Sequence, residues 1–219
     1  MSGSHRFRRF VSVLLFFFFF PLLAGLGSPS RVAPTLNQVQ FEPGIDSYSI
    51  PFLRQRAARS SEWLKLRFER VLPEIMRREK IDMWIVVCRE HAEDPVYPTL
   101  VPQPNMFAWR LMMLVYFDRG AAEGVERISV NPYGSGDFNK EIGYHYKPGW
   151  TDQAEDPWAR LARIVQARDP KRIAINESRT FPFADGLSAT LKGDLVAALG
   201  PFYASRLVSS ERLAVGWLE

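Results

Sequence analysis

Short apolar runs rich in β-branched residues, set between helical patterns, are what most limits the fold of this chain. The runs are IDMWIVVC (81–88), LMMLVYF (111–117), ERISVN (126–131), RIAIN (172–176) and YASRLVS (203–209). Runs of this length bounded by turn residues read as strands, and the unbroken apolar ones as strands buried on both faces. Two helical patterns, DPWARLARIVQAR (156–168) and ADGLSATLKGDLVAALG (184–200), stand before the last two strands. Helix–strand alternation of this kind predicts an α/β domain with a mostly parallel or mixed β-sheet flanked by helices.

The boundaries carry their own signals. Asp156 followed by Pro157 is a helix opening, and Gly200 a C-terminal stop. A first helix is expected from Ser60, with Trp63, Leu64, Phe68, Val71, Leu72, Ile75 and Met76 at helical spacing. Pro73 should kink it or divide it. REHAEDPVYPTLVPQPN (89–105) has four prolines and reads as a loop, and EIGYHYKPGW (141–150) as a short edge strand or loop. The closing SSERLAVGWLE reads as a helix capped by Ser209 or Ser210. Its stripe of Leu213, Trp217 and Leu218 is expected to be incompletely buried and to mark an interface.

The first 27 residues differ in character. A basic start (Arg6, Arg8, Arg9) leads into an apolar run from Phe10 and then small residues in AGLGS. These are the parts of a secretory signal peptide (1–27), followed by a polar linker or N-terminal extension (28–55). An uncleaved membrane anchor is the alternative; either way the body is expected to be exported, periplasmic or secreted. The net charge of +4 falls to +1 without the three signal arginines (4 − 3), so the body has no electrostatic case for binding nucleic acid.

Catalytic candidates are few. Cys88 is the only cysteine, sits in an apolar run and reads as a buried free thiol. There is no HExxH, CxxC, GxSxG or phosphate-cradling glycine motif. The densest polar cluster is CREHAEDP, where Arg89, Glu90, His91, Glu93 and Asp94 could bind a metal or shape an active site, or simply pair and cap backbone in a solvated loop. His145, with Glu141 four residues earlier, is expected to stack among Tyr144, Tyr146 and Trp150 rather than to ligate. A Ser135/His145/Asp137 device can be drawn, but no spacing selects it. Asn176-Glu177-Ser178 matches the glycosylation triplet.

The stretches RFERVLPEIMRREKIDMWIVVCREHAEDPVYPTL, RDPKRIAIN, FADGLSATL and LVSSERLAVGWLE, in that order, resemble the N-terminal domain of creatinase/aminopeptidase P-like proteins. These are the pita-bread metallopeptidases that include Xaa-Pro aminopeptidases and prolidases. The resemblance runs from about residue 56 to Glu219. It implies a creatinase N-terminal-like α/β domain (56–219) that carries no metal ligands and no cofactor. The two divalent metals, such as Mn, Co or Zn, would be held by two Asp, one His and two Glu of a separate pita-bread domain, which nothing in this sequence matches. The implied role is dimerisation and gating of short Xaa-Pro peptides in a complete relative, with partners in a catalytic domain or second subunit. Arg89, Glu90, His91 and Asp94 are the candidate gating loop. The resemblance also implies that the chain stops where a longer relative continues; a stand-alone exported binding module is the alternative.

Overall fold

Six consecutive residues, Met83 to Cys88, are buried in strand β1 (Met83–Arg89) because helices cover both of its faces. The computed structural model describes residues 52–103, 105–131, 145–152 and 154–219. The signal stretch, most of the 28–55 extension, Ser135, Asp137, Glu141 and Tyr144 lie outside them. The other strands are β2 (Leu111–Asp118), β3 (Val125–Val130), β4 (Lys147–Pro148), β5 (Ile173–Ile175) and β6 (Leu207–Ser209). They form one mixed sheet in the order β4-β3-β2-β1-β5-β6. β1 runs antiparallel to β2 and parallel to β5, so Met83 pairs with Phe117 on one side and Ile173 on the other. The domain is therefore α/β, with a mixed six-stranded sheet flanked by helices.

The helices are α1 (Leu53–Leu66), α2 (Leu72–Arg78), α3 (Tyr97–Leu100), α4 (Pro157–Gln166), α5 (Ala189–Ala204) and α6 (Glu211–Leu218). Successive strand residues point to opposite faces and so split the core in two. Trp84, Val86, Cys88, Leu114 and Tyr116 pack with Leu64, Leu72, Met76, Leu213 and Trp217. On the other side Met83, Ile85, Val87, Val115 and Ile173 pack with Leu161, Val165, Leu191 and Leu195.

Several expectations change. The first helix starts at Leu53, not Ser60, with Gln55 Oε1 accepting from the Phe52 N–H at 3.2 Å. Arg, Gln and Ala there favour helix but carry no apolar period to read. The helical run is divided into α1 and α2 just ahead of Pro73. A π-helical turn, Arg67–Val71, precedes it, with the Leu72 N–H bonded to Arg67 O. Proline lacks an N–H and crowds the carbonyl four residues back, and the one-residue-wider turn relieves both. The four-proline loop contains α3, opened by Pro98 in its first turn.

In the second half, Asp156 caps α4 by accepting from Trp158 N and Ala159 N. Gly200 breaks α5 at φ 68°, ψ 170°, and Pro201 opens a last turn to Ala204. That turn takes Tyr203 and Ala204 from the expected strand. Ahead of α6, Ser209 Oγ accepts from Glu211 N at 3.1 Å, while the Ser210 hydroxyl turns inward. The apolar stripe of α6 is not left open: Leu213 and Trp217 are fully buried and only Leu218 is half-buried. Trp217 stacks on Phe68 at 5.5 Å and donates from Nε1 to Thr99 Oγ1 at 2.9 Å. The stripe closes this domain's own core rather than marking an interface.

Candidate functional site: the loop after the central strand

The chain leaves β1 through a tight turn in which Ala92 N donates to Arg89 O at 2.9 Å and His91 takes φ 62°. Arg89, Glu90 and His91 are exposed at its tip. Glu90 and His91 approach to 3.9 Å, but at that exposure the pair is worth little. Glu93 faces the other way, accepting at Oε1 from Ala108 N at 3.1 Å and His91 N at 3.3 Å.

Asp94 leaves the tip altogether and is completely buried. Its Oδ1 accepts from Val96 N and its Oδ2 from Asn176 Nδ2, each at 2.9 Å. Asn176 Oδ1 in turn accepts from Trp84 Nε1 at 2.8 Å and Ser210 Oγ at 2.6 Å. Gly186 lies so close to the Asp94 carboxyl that a Cβ there would overlap it. Burial pushes the Asp94 carboxyl up to about 6; the Val96 N–H and the Asn176 amide pull it back, and the Asp185 charge adds to the rise. Sealed from solvent, this group ties β1, its loop, β5 and α6 together and has no access to a substrate. Of the four predicted residues, then, three share the exposed tip and Asp94 anchors it from below.

His145 is buried, with Nε2 2.8 Å from Ser61 Oγ, and Arg127 Nε donates to its carbonyl at 2.7 Å. Burial, with the Arg127 and Lys65 charges, pushes its imidazole down to about 4, so it is neutral at neutral pH. It borders a groove of about 450 Å³ with Arg119, Glu126, Arg127 and Lys147. His145 and Tyr146 both pack edge-on to Phe68, and Trp150 belongs to the other face of the sheet. Ser61 and His145 are 84 residues apart, on elements with no shared motif, so no sequence signal joins them.

Burial pushes the Cys88 thiol up to about 12, which leaves it protonated and unreactive. The Asn176 amide is spent in the buried network, so the glycosylation triplet has no accessible acceptor in the folded domain. Among the described residues, no three His, Cys, Asp or Glu side chains are grouped to hold a metal ion, and no helix is long and apolar enough to cross a membrane. Compared with known proteins, the chain matches no protein-family model and no curated protein.

Proposed function

We propose that this chain is an exported, non-catalytic dimerisation and gating domain of the creatinase/aminopeptidase P-like kind, acting beside a pita-bread catalytic domain or a second subunit. In this reading Xaa-Pro peptides and divalent metals such as Mn, Co or Zn belong to that catalytic partner. The observation that carries it is the tip Arg89-Glu90-His91, exposed and charged, standing on the buried Asp94–Asn176 anchor at the end of the central strand. A charged loop on a rigid base is suited to meeting a partner surface at fixed geometry. The mixed α/β sheet and the ordered stretches from RFERV to LAVGWLE support the same reading.

Sedimentation of the full chain tests it. A dimer is expected that shifts to monomer when Arg89, Glu90 and His91 are all replaced by Ser, with unchanged circular dichroism. A dimer indifferent to the triple replacement, a parent that sediments as monomer, or turnover of an Xaa-Pro dipeptide by this chain with Mn²⁺, Co²⁺ or Zn²⁺, would each overturn it.

A further inference from the structure

A second groove, of about 380 Å³, opens between α1, the π turn, α3 and the end of α6. Its walls include Trp63, Pro98, Val101 and Leu218, and Trp63 is 65% exposed. Arg67 is the only ionisable side chain that lines it. The guanidinium carbon lies 4.4 Å above the Trp217 ring. Its Nε is buried without a hydrogen-bond partner, and no ion pair involves Arg67 among the described residues. Burial holds the group below its ordinary pKa.

We infer that this groove is a binding site for a small apolar monocarboxylate, its carboxylate paired with Arg67 and its hydrocarbon body lying against Trp63, Val101 and Leu218. One positive charge beside the apolar wall of Trp63, Val101 and Leu218 is the complement of one negative charge on an apolar body. The guanidinium fork, already oriented by stacking on Trp217, fits a carboxylate with two donors. A peptide strand fits less well, because it brings an N–H and a C=O with every residue. Apart from Arg67 the groove offers polar side-chain groups only on Ser60, Trp63, Thr99 and Gln103, and the Thr99 hydroxyl is already engaged with Trp217 Nε1 and Val96 O. The volume falls at the lower end of small-molecule sites, roughly 300–1,000 Å³. This ligand site stands independently of the gating role.

Calorimetric titration of the full chain with hydrocinnamate, and separately with hydrocinnamyl alcohol, tests it. The acid is expected to bind at one saturable site and the alcohol at least about tenfold more weakly, since a charge-assisted hydrogen bond is lost. Arg67→Gln should weaken the acid by about tenfold or more and leave the alcohol unchanged, and Arg67→Lys should fall between. Trp63→Ala, at an exposed wall position, should weaken both ligands and serves as the second variant if Arg67→Gln fails to fold. Equal affinity for acid and alcohol, binding indifferent to Arg67 or Trp63, or no binding up to about 10 mM acid would overturn the assignment.

Discussion

Asn176 donates from Nδ2 to the Asp94 carboxylate at 2.9 Å, across 82 residues of sequence. The bond fixes the loop after β1 to the end of β5, and through Ser210 to the start of α6. It gives the exposed tip a base that does not depend on surface charge pairs.

Asp94 and His145 have opposite pH dependences over one interval. Raised from 3.8 to about 6, the Asp94 carboxyl binds its proton more tightly folded than unfolded. Its contribution to stability is fully present below 3.8 and is lost as pH rises through about 6. His145, lowered from 6.5 to about 4, contributes above 6.5 and loses that contribution as pH falls through about 4. Each effect amounts at its limit to about 3 kcal/mol. In urea unfolding between about pH 4 and 6, Asp94→Asn should make stability rise more steeply with pH than in the parent. His145→Gln should make it rise less steeply or fall. Shifts of the same sign in both variants would refute the assignment.

Trp217 should matter more to folding than to association. Trp217→Ala empties a site between Phe68, Arg67 and Thr99 and is expected to cost about 3–5 kcal/mol. Denaturant unfolding followed by circular dichroism measures it. A loss below about 1 kcal/mol, with a changed sedimentation coefficient, would return the α6 stripe to the role of an interface.

Two glycines should respond differently to alanine. At Gly186 the new methyl meets the Asp94 carboxyl and the Pro95 ring, both held by the loop, so Gly186→Ala should lower stability by about 1–3 kcal/mol. At Gly216 the closest atom is the far end of the Arg78 side chain, which can swing aside. Within α6 the substitution also gains helix propensity, about 1 kcal/mol, so Gly216→Ala should be close to neutral. Parallel melting curves of the two variants check this, and equal losses would contradict it.

Cys88 should resist a disulfide-exchange reagent in the native protein and react once urea exposes it. Its thiol is buried at the end of β1 and held far above the ordinary thiol range. Labelling that saturates without denaturant, faster than global unfolding, would show an open path to the sulfur.

The strands were legible in the sequence because burial on both faces leaves an uninterrupted apolar signature, as in Met83 to Cys88. Asp156 and Gly200 were legible because a cap and a stop are set by local chemistry. What escaped was tertiary. Nothing local announces that Trp217 fills the space over Phe68, or that Ser61 meets His145. Asp94 looked like one more loop charge, since its partners Asn176 and Val96 N become neighbours only after the sheet has formed. The groove around Arg67 draws residues from four separate elements and has no linear trace at all.

The outermost strands of the described sheet are brief: β4 spans two residues and β6 three. Little open ladder is left for a foreign strand to zip onto. Under the proposed gating role, a partner that grips side chains on loops and helices instead can be lost by replacing a few surface residues while the architecture survives. In that reading assembly and foldedness are separable traits.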